Sequence, residues 1–138
     1  RIAEIMEAQG YTVRKKVILP DDQQMLQDEM IAMCNDDIQL ILTTGGTGFS
    51  KRDVTPEATL AVSGRVAPGI AEAIRAGSMA ITKRAMLSRA VSAIRHRTLI
   101  INLPGSPKAV EESLGFVLDT LPHALGLLRG RDGECGRS

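Results

Sequence analysis

Ile41–Glu57, ILTTGGTGFSKRDVTPE, is the stretch whose reading decides the fold. The apolar run Leu40, Ile41 and Leu42 reads as a buried strand. It gives way to Thr43 and Thr44, then to a loop holding Gly45, Gly46 and Gly48. A helix is predicted to start at Thr55, with the threonine as cap, Pro56 at the first helical position and Glu57 in the first turn. In an open parallel sheet, ligands sit in the crevice at the carboxyl ends of strands. Three glycines let the backbone approach a ligand closely, and the amides of such a loop favour an anion. Lys51, Arg52 and Asp53 add positive charge and a carboxylate to the same loop.

Upstream, Val13, Val17, Ile18 and Leu19 read as a strand ended by Pro20, with Arg14, Lys15 and Lys16 turned partly to water. Asp21 is placed to cap the next helix, with Gln24 completing a capping box and Leu26, Met30, Met33 and Cys34 on the buried stripe. Asn35, Asp36 and Asp37 close that helix and lead into the strand at Gln39–Leu42, so the unit reads as βαβ with a right-handed crossover. Ile2, Ile5 and Met6 mark one face of a short first helix that Gly10 ends. A doubly wound domain enters such a helix from a strand. Residues 1–130 are therefore expected to form one domain lacking its first strand, with RDGECGRS, residues 131–138, as a frayed tail.

Downstream, a helix is expected from Thr55 to about Ser63 and another from Pro68, with Ile70, Ala73 and Ile74 inward before Gly77. Ser78–Ser88 reads as an irregular connection carrying a short element, Ala90–Ile94 as a short strand and Thr98–Leu103, TLIINL, as a strong one. A second loop follows, Pro104-Gly105-Ser106-Pro107-Lys108, in which Ser106 can cap a helix and Pro107 suits its first turn. That helix should run to about Leu121 with Val110, Leu114, Val117 and Leu118 inward. Pro122 interrupts it before a last helix of Ala124, Leu125, Leu127 and Leu128 that ends at Gly130.

Composition narrows the function classes. The 138 residues fit one domain with a core of Leu, Ile, Val, Ala and Met, since Tyr11, Phe49 and Phe116 are the only aromatics. Two cysteines, Cys34 and Cys135, give neither a disulfide framework nor a CxxC redox site. No run approaches the roughly 18 apolar residues of a membrane span and no signal peptide is visible, so the cytoplasm is the expected compartment. Between Glu72 and Glu111 the ionisable residues are all basic: Arg75, Lys83, Arg84, Arg89, Arg95, Arg97 and Lys108, with His96. Such a run reads as solvated surface, or as the match to an anionic ligand or an acidic partner. Nucleic acid is not indicated, because no recognition motif or interleaved aromatics accompany the charges.

Two strand ends thus carry similar equipment, the glycine loop with Asp53 and the turn into a helix amino-terminus at Ser106. If their strands are parallel neighbours, both loops open on one edge and can hold a phosphorylated ligand at two ends. GGTGFSKRD is neither a Walker A loop nor GxGxxG, Ser106 is outside a nucleophile elbow, and His96 and His123 lack metal-ligand spacing with either cysteine and read as structural or surface residues. Asp53 either caps the turn before Thr55 or coordinates Mg²⁺ carried by phosphates. Asp21 is the candidate second carboxylate or a helix cap, with Asp22 the lesser choice of the pair. Glu57 reads as a helix-start residue or a contact to a polar heterocycle.

TTGGTGFSKRDVTPEAT (Thr43–Thr59), MLSRAVSAIRHRTLIINLPGSPKAV (Met86–Val110) and LPHALGLLRG (Leu121–Gly130) together resemble the Mog and MoaB family of molybdenum cofactor biosynthesis, to which the gephyrin G domain is related. The resemblance implies an α/β molybdopterin-binding fold of three layers, a mostly parallel sheet with helices on both faces, usually assembled as a trimer or higher oligomer. It implies a nucleotidyltransferase that moves AMP from Mg-ATP to the molybdopterin phosphate and hands its product to a molybdate-insertion enzyme. The alternative is a MoaB-type molybdopterin-binding module without that activity. By the same resemblance, Asp21 and Asp53 are the catalytic and Mg²⁺-binding residues. Thr44, Gly45, Gly46, Thr47, Gly48 and Glu57 form one binding segment. Asn102, Leu103, Pro104, Gly105, Ser106 and Pro107 form the other.

Overall fold

Thr98–Leu103 is buried at all six positions, as a strand covered on both faces must be. In the computed structural model, which describes residues 1–130, this strand is the centre of the molecule. In chain order the elements are α1 (Ile2–Ala8), α2 (Gln23–Asn35), β1 (Leu40–Thr44), α3 (Thr55–Val62), β2 (Arg65–Val66), α4 (Pro68–Met79), β3 (Ser92–Arg95), β4 (Thr98–Leu103), α5 (Pro107–Gly115) and α6 (Leu121–Leu128). A 3-10 turn at Lys83–Leu87 is the short element expected in the connection after α4.

The strands lie in the order β1-β4-β3-β2. β1 and β4 are parallel, with Leu40 opposite Leu99 and Thr44 opposite Leu103. β3 is antiparallel to both β4 and β2, so among the described residues the sheet is mixed and only its β1–β4 half has the expected parallel arrangement. The antiparallel half follows from a two-residue turn at His96 and Arg97, which joins Arg95 directly to Thr98. His96 takes φ +53 there, a left-handed conformation that histidine tolerates better than most residues, and its side chain is exposed.

Alternation along β4 divides the core in two. Leu99, Ile101 and Leu103 pack with Met6 of α1, Ile74 of α4, Val110 and Leu114 of α5, Val117, and Leu121 and Leu125 of α6. Ile100 packs on the opposite face with Ile41 of β1, Met30 of α2 and Ala58 and Val62 of α3. Helices thus cover both faces and make the expected three layers. Ala71 rather than Ala73 joins Ile74 on the buried side of α4. That helix continues through Gly77 to Met79, whereas α5 stops at Gly115, short of the expected Leu121.

The segment of Val13, Val17, Ile18 and Leu19 forms no strand. Ile18 is fully exposed and Val17 is 39% exposed. A strand needs hydrogen-bonding neighbours, and among the described residues none lies beside this segment. It borders instead a cavity of about 1130 Å³ along the outer edge of β1, so the expected βαβ unit is realised as an extended segment, α2 and β1. No helix among the described residues is long and apolar enough to cross a membrane. Residues 131–138, with the expected tail and Cys135, lie outside the described residues.

Asn102 ties the sheet to α3. It is 1% exposed, and its Oδ1 accepts from the Val91 amide at 3.1 Å. Its Nδ2 donates to Thr43 Oγ1 at 3.1 Å and to Thr59 Oγ1 at 3.0 Å, while the Thr59 hydroxyl donates to the Thr55 carbonyl. An amide at this place satisfies a donor and two hydroxyls that no apolar side chain could. Asn102→Ala should cost about 3 kcal/mol, read from urea unfolding, because several buried polar groups lose partners at once. A loss below about 1 kcal/mol would show that the network is not a support of the fold.

Candidate functional site

Because β1 and β4 are parallel neighbours in register, their carboxyl ends finish side by side. The Gly45 amide continues the ladder by donating to the Leu103 carbonyl at 3.0 Å, and a Cβ placed on Gly45 would come to 3.8 Å from the Gly105 Cα, so the two loops run close together. The glycine loop after β1 and the Pro104–Ser106 loop after β4 therefore open on one edge, as the crevice argument requires. Thr44, Gly105 and Pro107 also line one end of the cavity along β1.

The glycine loop is tightly folded onto α3. Gly46 has φ +68, and its carbonyl accepts from the Thr55 amide at 3.1 Å, with its Cα against the Thr55 side chain so that a Cβ would collide with Oγ1. Thr55 is accordingly the first residue of α3 rather than its cap; Val54 holds the cap position and Thr55 is buried under the loop. At Gly48 a Cβ would lie 2.9 Å from Asp53 Oδ2, so this position also has no room for a side chain. Among the described residues, the amides of Gly46, Thr47, Gly48 and Phe49 donate no hydrogen bond within the chain. Successive unpaired amides in a turn are a ready site for anionic oxygens.

Asp53 stands half-buried at the far end of the loop. Its Oδ2 accepts from the Ser50 amide at 2.9 Å, while the Asp53 amide donates to the Ser50 carbonyl at 3.0 Å. Among the described residues its Oδ1 accepts no hydrogen bond, which leaves one carboxylate oxygen for a cation or a ligand donor. Asp21 is exposed and does not cap α2: Asp22 does, accepting from the Met25 amide at 2.9 Å. The local sequence pointed to the wrong one of two adjacent aspartates, and the capping role falls on the neighbour. No hydrogen bond among the described residues ties Asp21 to the glycine loop, and they contain no cluster of three or more metal-ligating side chains. A magnesium ion that arrives on phosphates asks for only one or two carboxylates, and the unengaged oxygen of Asp53 fits that need, while no contact among the described residues brings Asp21 beside it.

On the second loop, Ser106 caps α5 by accepting from the Ala109 amide at 3.2 Å, with Pro107 in the first turn as expected. Gly105, Ser106, Pro107 and Lys108 are exposed and Pro104 is half-buried. Asn102 and Leu103 belong to β4 instead, with side chains 1% and 0% exposed, so these two support the loop from beneath and present no side chain to a ligand. Thr47 is buried, 8% exposed.

Sequence reasoning passed over the residue with the most contacts to this site. Arg89 Nε donates to the Gly48 carbonyl at 2.7 Å and Nη2 to the Asp53 carbonyl at 2.6 Å. Nη1 donates to Glu57 Oε2 at 2.6 Å and Nη2 to Oε1 at 3.3 Å. Hydrogen bonding from Arg89, opposed by partial burial and aided by charge attraction, holds the Glu57 carboxyl below its ordinary range; the same pairing raises Arg89. Both Glu57 oxygens are thus engaged with a guanidinium. Arg75 and Arg95 are likewise turned inward, to the Ser88 and Ala90 carbonyls and to the Val62 carbonyl. In the acid-poor run, then, Arg75 and Arg89 brace loops and Arg95 the end of α3, while Lys83, Arg84, Arg97 and Lys108 face solvent.

Comparison with known proteins agrees with this geometry. A family model described as "Probable molybdopterin binding domain" matches residues 1–123. The chain is 47% identical over 114 residues to gephyrin of Dictyostelium discoideum, covering 83% of this chain and 16% of that protein. It is 40% identical over 114 residues to the molybdopterin adenylyltransferase of Helicobacter pylori strain J99, covering 82% and 65% respectively. It therefore spans less than two thirds of the length of either relative. Among solved structures, the molybdopterin biosynthesis enzyme MoaB of Thermus thermophilus superposes with a TM-score of 0.88 at 44% identity, covering 94% of this chain and 82% of that one. With its three-layer fold, its paired loops and a match over residues 1–123, the chain belongs to the molybdopterin-binding domain family.

Proposed function

We propose that residues 1–130 form a molybdopterin adenylyltransferase domain, which transfers AMP from Mg-ATP to the terminal phosphate of molybdopterin. The observation that carries this reading is the pair of anion-favouring loops side by side at the carboxyl ends of β1 and β4, with the Asp53 carboxylate at the end of one of them. A phosphate oxygen of the pterin would attack the α-phosphorus of ATP as the bond to the β-phosphate oxygen breaks and pyrophosphate leaves. The nucleophile belongs to the substrate, so no serine or cysteine is needed.

In this reading the chain's own groups position and neutralise. Amides of Gly46–Phe49 hold phosphate oxygens in an orientation set by the folded loop, and the amino-terminus of α5 with Ser106 receives the other anionic end. Asp53 and Asp21 would hold the metal that accompanies ATP, which when bound neutralises charge developing on the triphosphate. Asp53 is preset for this by its bond from Ser50, which fixes one oxygen. Thr44, Gly45, Pro104, Gly105 and Pro107 shape the crevice between the two loops. We further place the protein in the cytoplasm as a homotrimer or higher oligomer that passes its product to a molybdate-insertion enzyme. The exposed apolar residues Met79, Ile81, Met86 and Leu87 near the 3-10 turn support an assembled form.

Formation of adenylyl-molybdopterin from Mg-ATP tests this directly. The protein should yield product and lose that yield when magnesium is chelated. Asp53→Asn keeps an oxygen acceptor for the Ser50 amide but removes the charge, so turnover should fall about 100-fold at matched pterin occupancy. Tight pterin binding without product would instead make the protein a binding module. Gly46→Ala should destabilise the fold by about 1–2 kcal/mol from its left-handed backbone alone, with the Thr55 collision in addition, as a lowered urea midpoint would show.

A further inference from the structure

Arg89 binds the glycine loop entirely from behind. Its own amide donates to the Thr47 carbonyl at 2.8 Å, its Nε to the Gly48 carbonyl and its Nη2 to the Asp53 carbonyl. One residue therefore holds three carbonyls of a loop that lies 36 to 42 positions earlier in the chain. In a trans peptide the C=O of one residue and the N–H of the next point in opposite directions. Carbonyls of Thr47 and Gly48 drawn toward Arg89 turn the amides of Gly48 and Phe49 away from it. Those two amides are among the four that donate no hydrogen bond within the described chain.

The guanidinium is itself fixed. Glu57, in the first turn of α3, takes Nη1 and Nη2 with its two oxygens, so the planar fork is oriented by a carboxylate on a helix whose Ala58, Thr59 and Val62 are buried in the core. The distances from Arg89 run from 2.6 to 3.3 Å, and no lysine could reproduce them, since an ammonium lacks the planar array of donors. Four of the five N–H donors of the guanidinium are engaged, by the Gly48 and Asp53 carbonyls and by Glu57, so the charge of Arg89 is paired inside the chain.

We propose that Arg89, oriented by Glu57, is the positioning residue of the anion cradle: it acts on a bound phosphate through the Gly48 and Phe49 amides and the placement of Asp53, without touching the phosphate. This rests on the adenylyltransferase reading for its consequence in turnover, while its effect on anion binding stands apart from that reading. Binding and turnover are therefore measured separately.

Isothermal titration of the whole chain with inorganic pyrophosphate, with and without magnesium, reads the cradle alone. Arg89→Lys keeps the charge and loses the fork, so the dissociation constant should rise about tenfold. Glu57→Ala makes the sharper test, because the two explanations predict opposite signs. Removing a negative charge near an anion site should tighten binding if Arg89 acts by charge, and should weaken it, by about threefold or more, if Arg89 acts by orienting the loop. Weaker binding in both variants supports the proposal. Tighter binding in Glu57→Ala, or an Arg89→Lys constant within about twofold of the parent, overturns it. If Arg89→Lys fails to fold by circular dichroism, the exposed Glu57 position still decides the sign. In the adenylylation assay both variants should lower kcat as well as raise KM for ATP, a split that general destabilisation at saturating substrate would not produce. A parent protein without adenylylation that still binds pyrophosphate would remove the proposed function and leave the titration to judge Arg89.

Discussion

The parallel pairing of β1 with β4 is the constraint on which the site depends. Thr44 lies opposite Leu103, so the two strands end together and their following loops start close to each other, with room for no more than a methyl group between Gly45 and Gly105. A slip of one residue would exchange the faces of β1, sending Ile41 out of its contact with Met30 and Val62 and breaking the Thr43–Asn102 bond. Burial on both faces of β4 thus defines the register, and the register defines the distance between two anion-favouring loops.

Polar groups inside the fold serve the same end. Asn102 sits on the α2–α3 side of β4, where its amide joins Thr43 of β1 to Thr59 of α3. Thr55 opens that helix beneath Gly46, and Glu57 on its first turn fixes Arg89. A line of contacts therefore runs from the central strand through α3 to the back of the glycine loop. Among the described residues the loop's Gly46–Phe49 amides are unpaired, yet its carbonyls are held, which is how an exposed turn can be kept in a shape suited to phosphate oxygens.

The basic run between α4 and α5 illustrates how composition and structure divide the meaning of a charge. Read along the chain, its arginines favour an anionic ligand or partner. In the fold, Arg75, Arg89 and Arg95 are turned to backbone carbonyls, where guanidinium donors satisfy acceptors in two loops and at the last residue of α3. Of the three, only Arg89 binds carbonyls of the glycine loop.

Local signals were enough for the elements that carry the site. TLIINL read as a strong strand, Ser106-Pro107 as a helix start that Ser106 can cap, and the three glycines before RDVTPE as a loop, and all three stand in the fold. Interactions between distant residues decided the rest. Val13–Leu19 has the composition of a strand but finds no neighbour to pair with among the described residues, and the His96–Arg97 turn makes half of the sheet antiparallel. Asn102 reads as a strand residue at the edge of a binding motif until the fold gives its amide Thr43, Thr59 and Val91 as partners, and Arg89 looks like surface charge until the fold brings Glu57, Gly48 and Asp53 around it from 32 to 41 positions away. Backbone propensity and capping act over a few residues and are written in the chain; hydrogen-bond partners and burial exist only once the chain has closed on itself.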